Sequence, residues 1–262
     1  MNDLGATRGS ALTSGGLSLM LGDCLDRMQE IPDQSVDLVL ADLPYGTTMN
    51  KWDSVIPPEP LWEALWRVCR GAVVLTAAQP FTSHLVLSQE HYFRYAMTWC
   101  KNRFTGNLNA KKQPMRAHED VLVFYKSQPT YHPYTEDVNP LAGKGTPVSV
   151  SQNYGRTGQK ADYVRPDNLT KTSVLKGFDT GSDRGMHPTQ KPVALMEYLI
   201  RTYTNDGDTV LDNTMGSGST GVACINTDRN FIGIERDEAY FSVASGRLQR
   251  ALVALQDRDV VA

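Results

Sequence analysis

The sequence predicts an α/β fold, a mostly parallel sheet covered by helices on both faces. Three observations carry that reading. Val36 to Ala41 and Ala72 to Ala77 are nearly all apolar and of strand length, as expected of strands buried on both sides. Segments with helical apolar spacing alternate with such runs, which places helices over a parallel sheet. The chain has 262 residues, enough for one large domain or a domain with one insertion.

Taken in order, Leu17 to Gly22 is a candidate strand and Leu25 to Ile31 a helical turn or two. The run Val36 to Ala41 stops at Asp42-Leu43-Pro44-Tyr45-Gly46, where proline and glycine end it. Leu61, Leu65, Val68 and Cys69 have helical spacing, Ala72 to Ala77 is the next strand, and Pro80 to Ser88 reads as a helix. Tyr92 to Cys100 and Val121 to Tyr125 read as strands. From about Ser127 to Arg184, Gly, Pro, Ser, Thr and Asn dominate and no apolar period persists. That stretch is too long for an ordinary connection and is either a functional insertion or a mobile region. Order returns with an amphipathic helix from Lys191 to Thr204, a strand at Thr209 to Leu211, a helix from Ser219 to Asn226 and a strand from Phe231 to Ile234. A last helix, Glu238 to Leu255, puts Phe241, Ala244, Leu248, Leu252 and Leu255 on one face.

Composition excludes several classes. Apolar content is ordinary for a globular protein, and no apolar run reaches transmembrane length. Residues 1–16 lack a basic region followed by an apolar core, so they read as a flexible leader and not as a secretory signal. Cys24, Cys69, Cys100 and Cys224 are far apart, which fits free thiols in a reducing cytoplasm better than a disulfide frame or a zinc site. No metal is expected. Net charge is −3, but residues 101–191 hold 14 Lys and Arg against 8 Asp and Glu, between two acidic flanks. A basic middle of this kind suits a phosphate-binding surface, and it also suits a plain solvated surface.

Two predicted strand ends carry unusual chemistry, and in parallel sheets ligands bind beyond those ends. At the first, Asp212-Asn213-Thr214-Met215-Gly216-Ser217-Gly218 turns sharply into a helix. Glycines let a ligand approach the backbone, and Glu235, at the end of the next strand, can accept both hydroxyls of a ribose. A nucleoside cofactor and a simple tight turn are both consistent with this. The run is neither a GxxxxGK[ST] loop nor a full GxGxxG, which speaks against ATP and NAD.

The second is Asp42-Leu43-Pro44-Tyr45. It supplies what methylation of an aromatic amine needs. The lone pair of such a nitrogen is delocalised into the ring. A carboxylate and a backbone carbonyl that accept its two hydrogens favour a tetrahedral nitrogen whose lone pair points at a methyl donor. Asp42 is the carboxylate, Pro44 fixes the backbone, and Tyr45 offers a face on which a flipped base can stack. The same residues also read as an ordinary strand end with a turn and a packed tyrosine.

With these motifs in hand, the sequence resembles the DNA amino-methyltransferases, specifically their permuted beta group, and among them small phage or prophage adenine enzymes. The family's DPPY appears as Asp42-Leu43-Pro44-Tyr45, and its DPFxGSGTT as Asp212 to Thr220. Its HPTQKP is matched fully by His187 to Pro192, and its GD-x-L by Gly22-Asp23-Cys24-Leu25. The resemblance spans about residues 17–255 in the order catalytic half, recognition region, cofactor half. It implies a circularly permuted, Rossmann-like sheet over 17–262 with a target-recognition region at about 127–186. It implies S-adenosylmethionine as cofactor and double-stranded DNA as substrate, methylated at adenine N6 by in-line attack after base flipping. Glu235 would bind the ribose hydroxyls, and Asp23, with Cys24 beside it, would lie near the adenine. Asp212, Asn213, the Gly216-Ser217-Gly218 turn and Lys191 would hold the methionine part. Asp42, Pro44 and Tyr45 would hold the target base. Leu43 replaces the first family proline, and Asn213-Thr214 replaces Pro-Phe.

The resemblance gives the basic middle a role. Tyr131, Tyr134, Tyr154, Arg156, Lys160, Tyr163, Arg165, Lys171 and Lys176 mix basic and aromatic groups suited to DNA, or a few of them simply pack the insertion. Lys101 to Arg116, with Lys111 and Lys112, would line the DNA cleft. Lys51 and Trp52 follow the catalytic loop, and Trp52 either closes over the flipped base or packs at the surface. Beta-group relatives often pair, so a homodimer is expected. The rival readings are methylation at cytosine N4, where the family more often has Ser in place of Asp42; an RNA or protein-glutamine substrate, the latter associated with NPPY; and a DNA-binding module without turnover.

Overall fold

The computed structural model describes residues 11–14, 16–46, 54–133, 135–137, 149–151, 155–157, 168–170, 172–179 and 190–261. They form two compact units, one of residues 1–132 and 173–262 and the other of residues 133–172.

The larger unit is built on a nine-stranded sheet. Its strands are β1 (Ala11–Ser14), β2 (Leu17–Leu21), β3 (Val36–Asp42), β4 (Cys69–Ala77), β5 (Phe93–Thr105), β6 (Arg116–Phe124), β11 (Val174–Leu175), β12 (Thr209–Asp212) and β13 (Asn230–Glu235). They lie in the order β1-β2-β13-β12-β3-β4-β6-β5-β11. The run from β2 to β4 is parallel, while β1 and β6 are antiparallel to their neighbours β2 and β4.

Helices cover both faces because the buried strands have two apolar faces to satisfy. Leu38 and Leu40 of β3 pack on one side with Leu195 and Leu199 of α4 (Val193–Tyr203), Cys224 of α5 (Ser219–Asn226) and Leu248 of α6 (Glu238–Val261). Val39 and Ala41 pack on the other with Met28 of α1 (Cys24–Met28), Leu61 and Leu65 of α2 (Pro58–Val68) and Leu85 of α3 (Phe81–Ser88). The period-2 alternation of β3 thus divides its side chains between two cores.

Strand order decides where a ligand can sit. From β3 the chain continues to β4 on one side, and from β12 to β13 on the other. Parallel neighbours whose connections run in opposite directions leave a crevice at their carboxyl ends. Asp42 closes β3 and Asp212 closes β12, so both strand-end motifs open into that crevice.

The structure alters three expectations. Within the expected leader, Ala11–Ser14 pair with β2 as an edge strand; residues 1–10 and 15 lie outside the described residues. The strands expected at 92–100 and 121–125 are longer, and β5 and β6 form an extended antiparallel arm. The expected insertion at about 127–186 is narrower as a compact unit, because β11 joins β5 in the main sheet. Within the 133–172 unit, β7 (Thr135–Asp137) pairs with β10 (Asn168–Thr170), and β8 (Ser149–Ser151) with β9 (Gly155–Thr157). Such three-residue strands leave no helical or long-strand period to read in the sequence.

Candidate active site

A cavity of about 450 Å³ opens at the ends of β3 and β12. Its lining includes Asp23, Cys24, Asp42, Pro44, Tyr45, Lys191, Asp212, Asn213, Gly216, Ser217 and Glu235, so both strand-end motifs and α1 meet in one space.

On the β3 side, Asp42 is the hub. Its Oδ1 accepts from the Tyr45 hydroxyl at 2.8 Å and from the Thr76 hydroxyl of β4. Its Oδ2 pairs with the Lys191 ammonium at 2.6 Å. That ammonium also reaches Glu119 of β6 at 3.1 Å, and Glu119 is bridged to Lys101 of β5 at 3.0 Å. Burial opposes the charge on Lys191, but the adjacent Asp42, Tyr45 and Glu119 outweigh it and hold the ammonium well above its usual range. Glu119 shows the complement: burial would raise it, and Lys191 and Lys101 bring it below the usual carboxylate value. Burial and the Asp42 charge push the Tyr45 phenol up, so it remains a donor to Asp42. Tyr45 stacks on Phe81 with ring centroids 5.3 Å apart, which uses one face of the ring.

On the β12 side, Asp212 is almost fully buried and meets neutral donors, the Thr220 hydroxyl at 2.6 Å and the Thr214 backbone N–H at 3.1 Å. Burial pushes its carboxyl up to about 7. Gly216 and Gly218 have φ of +51° and +79°, a left-handed backbone that strains residues with a Cβ. Arg247 of α6 pins this turn, donating to the Ser217 carbonyl at 3.2 Å and the Ser219 hydroxyl at 3.1 Å. Glu235 accepts from the Gly216 N–H at 2.9 Å and the Asp237 N–H at 2.8 Å; burial raises its carboxyl above the usual value. Asp23 caps α1 by accepting from the Leu25 N–H at 2.9 Å, and burial pushes the neighbouring Cys24 thiol up to about 11.

This arrangement fits a nucleoside cofactor on a point of its own. Asn213 is 1% exposed, and among the described residues its amide meets only the weakly bonding Cys24 thiol and no stronger hydrogen-bond partner. A buried amide left this way costs free energy unless a polar ligand completes it, and Asn213 lines the cavity beside the glycine turn.

The profile of the DNA methylase family, the N6- and N4-amino-methyltransferases, matches residues 36–245, most of the chain. The chain belongs to this DNA methylase family. The family is S-adenosylmethionine-dependent and acts on DNA at adenine N6 or cytosine N4. Among curated relatives of this methylase, the Type II methyltransferase M.HpaI of Haemophilus parainfluenzae is 27% identical over 245 residues, covering 88% of this chain and 73% of the relative. The crystal structure of an M1.HpyAVI–SAM complex is 25% identical, covers 88% of this chain and 98% of that one, and superposes with a TM-score of 0.58. The PvuII cytosine-N4-specific DNA methyltransferase shares the fold at 16% identity and a TM-score of 0.63, covering 90% of this chain and 87% of that one.

Of the residues expected to meet DNA, Arg116 is exposed and lines the cavity, while Lys111 and Lys112 are exposed just beyond it. Lys51, Trp52, Lys160 and Arg165 lie outside the described residues, as do His187, Pro188 and Thr189 of the HPTQKP match. Arg156 is described in backbone only, within β9. Lys191, expected at the methionine end of the cofactor, has its ammonium between Asp42 and Glu119. Sequence reading missed Thr76 and Glu119. Thr76 was marked by a lone hydroxyl in an otherwise apolar strand, and Glu119 by an acid just before the apolar run of β6. Among the described residues, no helix is long and apolar enough to cross a membrane, and no group of three His, Cys, Asp or Glu could hold a metal ion.

Proposed function

We propose that this protein transfers a methyl group from S-adenosylmethionine to the N6 amino group of adenine in double-stranded DNA. The observation that carries this is the Asp42 carboxylate, fixed by Lys191, Thr76 and Tyr45 on the wall of the cavity that also holds Glu235 and the glycine turn.

The bound cofactor supplies an electrophilic methyl on a sulfonium. Glu235 would accept from the ribose hydroxyls, Asp23 and Cys24 would flank the adenine, and Asp212, Asn213 and the Gly216-Ser217-Gly218 turn would hold the charged methionine end. Asp42 accepts one hydrogen of the target amine, and a carbonyl of the Leu43-Pro44 turn accepts the other. The carbonyl of Asp42 itself is taken by the Thr214 hydroxyl at 3.1 Å. These acceptors are in place before the base arrives, so little reorganisation is needed when charge develops on the nitrogen. The Lys191 ammonium, 2.6 Å from Oδ2, orients the Asp42 carboxylate. Tyr45 stacks the base on the side away from Phe81, and its hydroxyl steadies Asp42. This extends the sequence reading, in which only the face of the ring was used.

Asp42, in a position where cytosine enzymes of the family more often carry Ser, favours adenine over cytosine N4. DNA from a methylation-free host expressing the protein, sequenced with base modifications detected, should carry N6-methyladenine within one short motif. N4-methylcytosine alone would overturn the base assignment, and unmodified DNA would overturn the activity. Contact through the basic arm, together with Arg156, Lys160 and Arg165, should make duplex affinity fall steeply with salt. A homodimer is part of this reading; a monomeric mass in light scattering of fully active protein would remove it.

A further inference from the structure

The β5–β6 arm ends in a feature the chemistry at Asp42 does not use. Gly106 to Gln113 fold into consecutive tight turns closed by their own backbone: Asn109 N–H to the Gly106 carbonyl at 3.0 Å, Lys112 N–H to the Asn109 carbonyl at 2.8 Å, and Gln113 N–H to the same carbonyl at 3.0 Å. The turn displays Leu108, 95% exposed and the most exposed large apolar side chain among the described residues. Phe104, on the same arm, is 59% exposed. Leu108 stands on a backbone-closed turn and Phe104 on the adjoining strand, both in water; single exposed apolar side chains are common, so the case for an occupant rests on the charge and position around them.

Charge and position say which occupant. Between residues 102 and 118, Arg103, Lys111, Lys112 and Arg116 are exposed and no acidic residue occurs, which suits a phosphate backbone and not an acid-balanced protein surface; Lys101 is already paired with Glu119. The arm lies at the mouth of the cavity, since Thr105, Gly106, Asn109, Gln113 and Arg116 line the same space as Asp42 and Tyr45. The β5–β6 ladder loses register between Cys100 and Thr105, an irregularity of the kind that re-aims a strand beside an active site.

We infer that Leu108 is an apolar wedge that enters the DNA duplex and occupies the place vacated by the base drawn into the Asp42 cavity. This rests on the proposed action on a flipped base and adds the residue that keeps the duplex open. Apolar side chains inserted between base steps are an established way to compensate unstacking. A turn already ordered before binding loses little conformational freedom when it inserts.

The test uses the full chain and two duplexes carrying the motif mapped in the host DNA, one fully paired and one with the target base opposite an abasic site. An unpaired base leaves the stack at lower cost, so a wedge matters less there. Leu108→Asn should melt with the wild-type protein, because the side chain packs on nothing. It should lose at least about tenfold in methyl transfer on the paired duplex and return to within about twofold of wild type on the abasic one. With 2-aminopurine at the target position, its fluorescence rise on binding should shrink. Lys111→Ala, a phosphate contact, should instead weaken binding to both duplexes alike. Equal loss by Leu108→Asn on both duplexes, or no loss on either, would overturn the wedge while leaving the methyltransferase reading intact. A wild-type protein inert on both duplexes would overturn that reading and the wedge with it.

Discussion

Asp42 and Asp212 end neighbouring parallel strands and line one cavity, yet their surroundings are opposite. Asp42 has a lysine ammonium at 2.6 Å and two hydroxyl donors, and it remains partly open to the cavity. Asp212 is closed in, has only neutral donors, and is pushed up to about 7 by burial. The differences are one cation and the depth of burial. Together they separate a carboxylate held in place as an acceptor from one poised near neutrality, which a cationic ligand can ionise. Two like groups at one sheet edge thereby acquire different work.

The largest test of that contrast is Asp42→Ala. It should cut methyl transfer by at least about a hundredfold, the scale for losing one preorganised electrostatic group. Cofactor affinity, measured by calorimetry, should barely change. Near-normal turnover would break the comparison at its catalytic end.

Removing the cation comes next. Lys191→Met leaves the Asp42 carboxylate without its ion partner, while Glu119 keeps Lys101. Breaking a buried pair from one side costs on the order of 3 kcal/mol, which should appear as a lower unfolding midpoint in denaturant. The rate should fall because the Asp42 carboxylate loses the partner that holds it in place, whereas Lys191→Arg should retain much of it. A wild-type methyl-transfer rate in Lys191→Met would show that Asp42 does not depend on the ammonium.

Asp212 should reveal itself through pH. Its folded value lies above its ordinary 3.8, so the folded state holds the proton more tightly. Stability is then favoured at low pH and lost as pH rises from about 4 through about 7, by a few kcal/mol at the full shift. Cofactor binding should run the other way and tighten about tenfold between about pH 6 and pH 8, as the ionised carboxylate becomes available to a cationic ligand. Asp212→Asn should flatten both curves; a slope that survives the substitution belongs to another group. Glu235→Ala should weaken cofactor binding about tenfold or more through lost hydrogen bonds to hydroxyls, and it should flatten the stability curve only in part, because Glu235 is itself raised by burial and its charge adds to the rise of Asp212.

The smallest effect is expected at Tyr45. Tyr45→Phe keeps the ring on Phe81 and removes one donor to Asp42, worth about 1 kcal/mol or roughly fivefold in rate. Tyr45→Ala should lose more, because base stacking adds about 1–3 kcal/mol. Equal rates for Phe and Tyr would show that the hydroxyl does not steady Asp42.

Much of this was legible in the chain. The apolar runs at Val36 and Ala72 announced buried strands, and the polar residues that interrupt such runs at their ends marked the cavity. The edge strand at Ala11 was hidden, since four residues of a Gly-, Ser- and Thr-rich segment carry no usable period. The long β5–β6 arm was hidden because its outer half is polar and exposed, and backbone pairing alone, invisible in composition, makes it a strand pair.

By itself, then, the sequence determined the parallel sheet, the two strand-end motifs and their order, because period, proline and glycine act through local sterics and burial. Only the tertiary structure decided that Lys191 serves Asp42. The two are 149 residues apart, and no local rule links them. Their meeting, with Glu119 and Thr76, follows from the order in which β12, β3, β4 and β6 lie side by side, and in the interior a charge must take whichever partner that order brings within reach.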